Sequence, residues 1–468
     1  MRPKCVESST RPALRDCASG QEFSPALFTD LYELTMAQAY DAEHMEDIAV
    51  FELAFREMPP RRNYIVAGGL RDVLDYLSSF HFSSEDLSYL HRRGGFSTGY
   101  IERLRSLQFT GEVYAMPEGT VVFPNEPILQ IVAPIIEAQL AETFVLNQVH
   151  LQSVLAAKAS RVVTAARGRS VVDFGSRRAH GTDAALKVAR VTYLAGGNGT
   201  SNVLAGKMFD IPVFGTMAHS YIQAHDDEYQ AFEAFAALYP ETALLVDTYD
   251  TLMGVRNLIR LSQKIGKRFR VKAIRLDSGD FGVLAREARK LLDKAGLQAV
   301  EIFASSGLDE YKVQKLVDAE APIQGFGVGT NLVVSEDAPA LDMAYKLVEY
   351  AGKGRLKLST KKVLYPGRKQ VFRQVEQGYM VRDVIARFDE SLPGTPLLEP
   401  VFQHREVSRN PTLNQSRHVL QEGLRKLPGH LLELDQAESP YPVLFSDGLQ
   451  ADLARLRAEI TSKHALRT

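Results

Sequence analysis

Between residues 170 and 350 short apolar runs alternate with amphipathic stretches, and this alternation constrains the fold more than any other feature of the chain. The runs lie at 170–174, 211–214, 243–246, 270–276, 299–304 and 323–328. The stretches between them include 182–195, 217–238, 251–265, 281–295 and 309–318. Strands that are apolar throughout are buried on both faces, which calls for parallel pairing with helices outside. Six such units predict an irregular parallel α/β barrel. No GxGxxG follows the first run, which weakens a dinucleotide-binding reading, and no solenoid-length period is present.

Each run ends in a polar cluster: DFGSRR (173–178), GTMAHS (215–220), DTYD (247–250), RLDSGD (275–280), SSGLDE (305–310) and GVGTN (327–331). Ligands of parallel barrels bind at the carboxyl ends of the strands, where loops vary on a fixed base. Six such ends in order therefore predict one shared site. Ser305, Ser306 and Gly307 offer hydroxyls and amides to a phosphate, and Gly329-Thr330 allows close backbone approach. Both lie on the last two strands, the usual phosphate position in barrels. Asp277 and Asp280 follow Arg275 and suit ribose hydroxyls or a hydrated Mg²⁺; an internal Arg–Asp pair shaping the loop is the other reading. His219 falls where a strand gives way to a helix, either as a structural imidazole or as a nucleophile. His225 is expected to be structural, and His180 fits either role.

The N-terminal third mixes element types. Residues 30–42 carry a helical pattern behind a Thr29 or Asp30 cap, and 48–55 alternate like a strand. Residues 111–133, punctuated by Pro117, Gly119, Pro124 and Pro127, predict a hairpin-rich antiparallel sheet. A helical run follows over 135–167. The basic, strand-like segment 352–373 is expected to return to this first unit. The organisation is thus a flexible extension (1–24), an N-terminal α/β domain (25–150 completed by 352–400), the barrel (151–351), and a helical tail (401–468) in which Gly423 and Pro428 interrupt the pattern. At 468 residues the chain is long enough for two cores. A net charge of −2 argues against nucleic acid as a partner. The two cysteines, Cys5 and Cys17, form no metal or disulfide framework, which fits a reducing, cytoplasmic setting. The sequence offers no membrane-length apolar run and no secretory h-region.

These motifs together (FTDLYELTMAQAY, VVDFGSRRAHG, GTMAHSYIQAH, RLDSGD, SSGLDE, GFGVGTN and YPGRKQVFR) resemble the nicotinate phosphoribosyltransferase family from about residue 26 to 375. The resemblance implies an N-terminal α/β domain joined to an irregular α/β barrel, and a homodimer with shared active sites. It implies that the pyridine ring stacks between Phe174 and Tyr32, the latter reaching across from the neighbouring subunit. Arg275 would pair with the nicotinate carboxylate. Ser201 stands where relatives preferring the amide carry an aspartate, which would repel a carboxylate. Ser306, Gly307, Gly329 and Thr330 would cradle the 5-phosphate of phosphoribosyl pyrophosphate. Asp277 would hold the ribose hydroxyls directly or through Mg²⁺, and His219 matches the histidine phosphorylated by ATP. Arg177, Arg61, Arg62 and Lys362, in that order, are candidates for neutralising pyrophosphate. No cysteine follows Cys17, so the cysteine-rich metal site of some members is not expected. The rival readings are an enzyme specific for nicotinamide or quinolinate, and a catalytically silent barrel scaffold.

Overall fold

A computed structural model describes residues 25–358, 364–409 and 411–465. The predicted extension 1–24, both cysteines and Lys362 lie outside the described residues. The chain builds two principal sheets on a shared apolar core.

The first sheet is antiparallel, in the order Lys353–Gly354, Met343–Tyr350, Ile48–Phe55, Leu129–Pro134, Glu112–Ala115, Glu399–Gln403 and Glu406–Val407. Its centre is the Ile48–Phe55 strand, hydrogen-bonded on one side to Leu129–Pro134 and on the other to Met343–Tyr350. Chain from beyond the barrel thus completes a sheet begun at the N-terminus. Phe51 stacks on Tyr345 across that seam, with ring centroids 4.9 Å apart. A four-stranded sheet (Thr395–Pro396, Lys369–Glu376, Tyr379–Arg387, Val443–Phe445) packs alongside.

The second sheet is the parallel one, in the order Gly199–Thr200, Ser170–Asp173, Gly325–Val328, Glu301–Ser305, Ala273–Leu276, Ala243–Leu245. The segment 211–214, expected to be a strand, makes only an isolated bridge from Val213 to Thr200. Pro212 has no N–H to give a ladder, and its carbonyl lies 2.2 Å from where a Cβ on Gly199 would sit. The two-residue strand Gly199–Thr200 takes the expected place in the sheet. The ring is completed past this irregular segment by a hydrogen bond from Thr216 Oγ1 to the Ala243 carbonyl. Main-chain ladders thus join six strands, and the gap between Gly199–Thr200 and Ala243–Leu245 is spanned by the Val213 bridge and the Thr216 side chain.

Helices cover the barrel close to where the periodicity put them: Thr182–Leu194, Thr251–Ile265, Phe281–Lys294 and Glu310–Asp318. The stretch 217–238 divides into His219–Gln223 and Glu228–Leu238, because Asp227 caps the second helix through the Tyr229 N–H. The run 135–167 likewise divides at Ala141 into Ile135–Leu140 and Glu142–Ala165. The chain after 400 is not helical alone, since it supplies strands to two sheets. Its helix Leu413–Lys426 runs through Gly423, where a Cβ would come 3.2 Å from Val121, and ends ahead of Pro428.

Candidate active site

The mouth of the barrel is organised from Asp173. This carboxylate is buried; its oxygens accept from the Gly175 N–H (2.8 Å) and the Thr200 hydroxyl (2.7 Å). Burial pushes its pKa above the ordinary carboxylate range, opposed by those two hydrogen bonds. Asp173 therefore ties two strand ends and a turn together and is not a free acid. Its carbonyl accepts from the Ser201 N–H at 2.8 Å, which sets exposed Ser201 beside the first strand end.

Phe174 lies flat over a glycine. A Cβ on Gly327 would come within 2.5 Å of its ring, and Phe303 flanks it at 5.9 Å and 44°. Gly175 is equally constrained, since a Cβ there would sit 2.0 Å from a Val333 methyl. Gly175, Gly325 and Gly327 are thus explained by close packing of Val333 and the Phe174 and Phe303 rings at the mouth.

Arg275 is partly buried, and its Nε has no hydrogen-bond partner. Burial holds the guanidinium below its ordinary pKa; Asp277 and Asp247 oppose that, and Arg177 adds to it. Arg177 and Arg275 therefore share one electrostatic field, with Arg177 exposed at the rim. An unanswered buried N–H on a guanidinium is costly unless something fills it.

Asp277 is the centre of a polar cluster. Its Oδ1 accepts from the Ser305 hydroxyl at 2.5 Å, its N–H donates to Asp247 Oδ2 at 2.8 Å, and its Oδ2 lies 3.7 Å from His219 Nε2. His219 Nδ1 lies 3.1 Å from the Thr248 hydroxyl. Asp247 also accepts from Ser278 Oγ (2.7 Å), while its other oxygen is buried without a partner. Asp247 and Thr248 are site residues that the sequence did not single out, while Ser305, expected at a phosphate, gives its hydroxyl to Asp277. DTYD was visible as a polar end, but nothing in it distinguished Asp247 from Asp250, which caps the following helix through Met253 N–H. Asp280 and Asp309 are caps as well, so one oxygen of Asp280 is committed to the start of the Phe281–Lys294 helix. Among the described residues no group of three or more His, Cys, Asp or Glu is arranged to hold a metal ion.

The turns after the last two parallel strands, expected to hold a phosphate, are open. Ser306 (φ 85°) and Gly307 (φ 60°) both adopt the left-handed conformation, unusual for serine and costly unless held by its surroundings. The N–H groups of Gly307 and Leu308 donate to no group among the described residues, which leaves two successive donors just beyond the strand end. Gly329 precedes the short Thr330–Val333 helix on the neighbouring strand. Asn331 Nδ2 reaches the Leu308 carbonyl at 3.4 Å and links the two turns.

Other expected residues lie elsewhere. Tyr32 is 45% exposed at the start of the Leu31–Ala42 helix, beside exposed Phe28 and Leu31, and is not stacked on Phe174 within one chain. Arg62 cannot serve a pyrophosphate: it is buried and bonded to Asp337, with Glu310 within ion-pair reach. Arg61 is exposed, left-handed (φ 60°), and 5.8 Å from the Tyr311 ring. His225 bonds the Tyr221 carbonyl one turn back and is structural; His180 is exposed. No described helix is long and apolar enough to cross a membrane.

A parallel barrel whose mouth gathers an aromatic ring, an unanswered arginine and two open glycine-bearing turns has the architecture of an enzyme that binds small polar ligands at its strand ends. Residues 27–150 match the nicotinate phosphoribosyltransferase (NAPRTase) N-terminal domain, and residues 169–377 match the nicotinate phosphoribosyltransferase (NAPRTase) family. The chain is 59% identical over 440 residues to nicotinate phosphoribosyltransferase pncB2 of Mycobacterium tuberculosis, covering 94% of this chain and 95% of that one. It is 45% identical over 380 residues to the nicotinate phosphoribosyltransferase of Bacillus subtilis, covering 79% and 77%. The crystal structure of human nicotinic acid phosphoribosyltransferase superposes with a TM-score of 0.82 at 28% identity, over 92% of this chain and 99% of that one. The chain belongs to the nicotinate phosphoribosyltransferase family.

Proposed function

We propose that this enzyme transfers the phosphoribosyl group of phosphoribosyl pyrophosphate to nicotinate, the entry step of nicotinate salvage to NAD, and couples that transfer to ATP hydrolysis through phosphorylated His219. The observation that carries the reading is the unanswered Arg275 Nε at a strand end of the same mouth as the Phe174 ring, with Phe303 paired to Arg275 and 5.9 Å from Phe174. The pyridine nitrogen attacks the anomeric carbon with its own lone pair, the C–O bond to pyrophosphate breaks, and pyrophosphate leaves with the electron pair. No base is needed at the attacking atom. What the protein contributes is orientation and neutralisation of charge: Arg275 fixes the carboxylate, Phe174 the ring plane, and Ser306, Gly307, Gly329 and Thr330 the 5-phosphate, with Arg177 and Arg61 at the rim for pyrophosphate.

Mg²⁺ fits this site as an ion carried on the substrate's phosphates, held by one or two carboxylates. Asp247 Oδ1, buried and unpartnered, and Asp277 are the oxygens suited to it, and the ion would neutralise the leaving group. In the tautomer that carries its proton on Nδ1, bonded to Thr248, His219 has a lone pair on Nε2 for the γ-phosphoryl group of ATP. The exposed Phe28, Leu31 and Tyr32 suit burial in a homodimer that would bring Tyr32 to the Phe174 of the other copy. Phosphorylated substrates, which do not cross membranes, support a cytoplasmic setting.

The test is product formation from phosphoribosyl pyrophosphate and Mg²⁺ with nicotinate, nicotinamide or quinolinate, each with and without ATP. Nicotinate is expected to be the base used, with ATP raising the yield; preference for either rival base, or no product from any, sinks the reading. His219→Ala is expected to abolish ATP hydrolysis tied to turnover while leaving slower ATP-independent transfer. Coupling that survives this change removes His219 from the role. Ser201→Asp is expected to weaken nicotinate binding about tenfold through like-charge repulsion, seen as a rise in the KM for nicotinate larger than any change for nicotinamide.

A further inference from the structure

We propose that Lys312 is a positioning residue of the sugar-phosphate site, holding the peptide plane that presents the turn's amides to the 5-phosphate. This rests on the phosphoribosyltransferase reading above. Lys312 stands in the first turn of the nine-residue Glu310–Asp318 helix, where its own N–H bonds the Asp309 cap at 2.8 Å. From there its side chain folds back, and Nζ donates to the Gly307 carbonyl at 2.5 Å. Asp309 lies 3.9 Å away, too far for a hydrogen bond to hold the ammonium.

The consequence follows from peptide geometry. The carbonyl of Gly307 and the N–H of Leu308 belong to one trans peptide and point in opposite directions. An ammonium fixed on the carbonyl therefore turns the Leu308 N–H away from Lys312, onto the side where a ligand can accept it. The turn needs such a lock. Ser306 and Gly307 are both left-handed, and glycine in particular passes between peptide orientations at little cost. The Leu308 N–H has no other partner among the described residues to fix it. The buried Leu308 side chain anchors the residue from below, and Asn331 bonds its carbonyl. Lys312 thus fixes the one flank of the turn that neither contact holds. Its charge also adds positive potential near a dianionic phosphate, though on the carbonyl side.

Lys312 is exposed and lies in a helix that Asp309 caps independently, so its substitution is compatible with folding. In steady-state kinetics Lys312→Met is expected to raise the KM for phosphoribosyl pyrophosphate roughly tenfold, the size of one hydrogen bond from a charged group. The KM for nicotinate is expected to stay within about twofold. Lys312→Arg, which retains a donor and the charge, is expected to recover most of the loss. Lys312→Gln, which retains a donor without the charge, separates the lock from the potential: recovery by glutamine assigns the effect to the peptide plane. Failure of glutamine while arginine recovers assigns it to charge and overturns the positioning role. A KM for phosphoribosyl pyrophosphate unchanged in Lys312→Met overturns the proposal outright. Loss of wild-type turnover with nicotinate would instead overturn the parent reading, so the two failures are distinguishable.

Discussion

Arg275→Leu is expected to reduce kcat/KM for nicotinate by roughly 10²–10³, the loss of two charge-assisted hydrogen bonds worth about 1.5–2 kcal/mol each. The same change is expected to reduce kcat/KM for nicotinamide far less, because an amide carries no charge for the guanidinium to answer. The preference for acid over amide should therefore narrow, and the ratio of the two kcat/KM values is the measurement. Arg275→Lys should fall between, since an ammonium cannot fork onto two oxygens. A structural role predicts something else. If Arg275 only shaped the barrel mouth, both bases would suffer equally and the protein would unfold more readily. The guanidinium is held below its usual pKa by burial, and its Nε lacks a partner. Its removal relieves an unsatisfied buried donor, so the urea midpoint should stay level or rise. Activity lost together with stability kept is the signature of a group placed for its ligand.

The parallel barrel was legible because period and burial coincide: Val171, Val172, Leu244, Leu245, Ile274, Ile302, Phe326 and Val328 are all buried. The irregular segment at its gap was not. An apolar run at 211–214 looks like any other strand, and only the structure discloses that it makes a single bridge, to Thr200. Within the mouth, Phe174, Arg275, Asp277 and His219 were found because they stand at strand ends. Their chemistry was less legible, because aspartates at strand ends also cap the next helix. Asp250, Asp280 and Asp309 do so, and Asp247 does not. Three-dimensional pairing alone separates them. Arg61 and Arg62 make the same point from the other side: adjacent in sequence, one is exposed beside Tyr311 and the other is buried in an ion network. No local pattern encodes which of two neighbouring arginines turns inward.

That network carries the largest expected effect on stability. Glu310 is fully buried; it accepts from Lys158 Nζ at 2.5 Å and Arg161 Nε at 3.1 Å, with Arg62 3.9 Å away. Asp337 answers Lys158 at 2.7 Å and bonds Arg62. Burial raises the pKa of Asp337, but hydrogen bonds and charge from Arg62 and Lys158 outweigh it and hold the carboxyl far below its usual range. Three cations, Arg62, Lys158 and Arg161, thus face two carboxylates, Glu310 and Asp337. In Glu310→Ala the same three buried cations would be left with one. Removing one partner of a buried pair costs about 3–5 kcal/mol, because the remaining charge stays desolvated, and here the excess charge rises as well. The urea midpoint is therefore expected to fall by that energy divided by the m value. Glu310→Gln, which can still accept hydrogen bonds, should lose less. The exposed Lys272–Glu241 pair supplies the contrast: Glu241→Ala is expected to leave the midpoint unmoved, as for most surface pairs. A midpoint that moves equally in both would mean that burial, the quantity separating the two pairs, does not set the cost. The network also joins what the reaction needs joined. Arg62 comes from the loop carrying Arg61, Lys158 and Arg161 from the long Glu142–Ala165 helix, and Glu310 from the helix that follows the Ser306–Gly307 turn. A partly relaxed Glu310→Gln protein should therefore show a raised KM for phosphoribosyl pyrophosphate at temperatures where it remains folded.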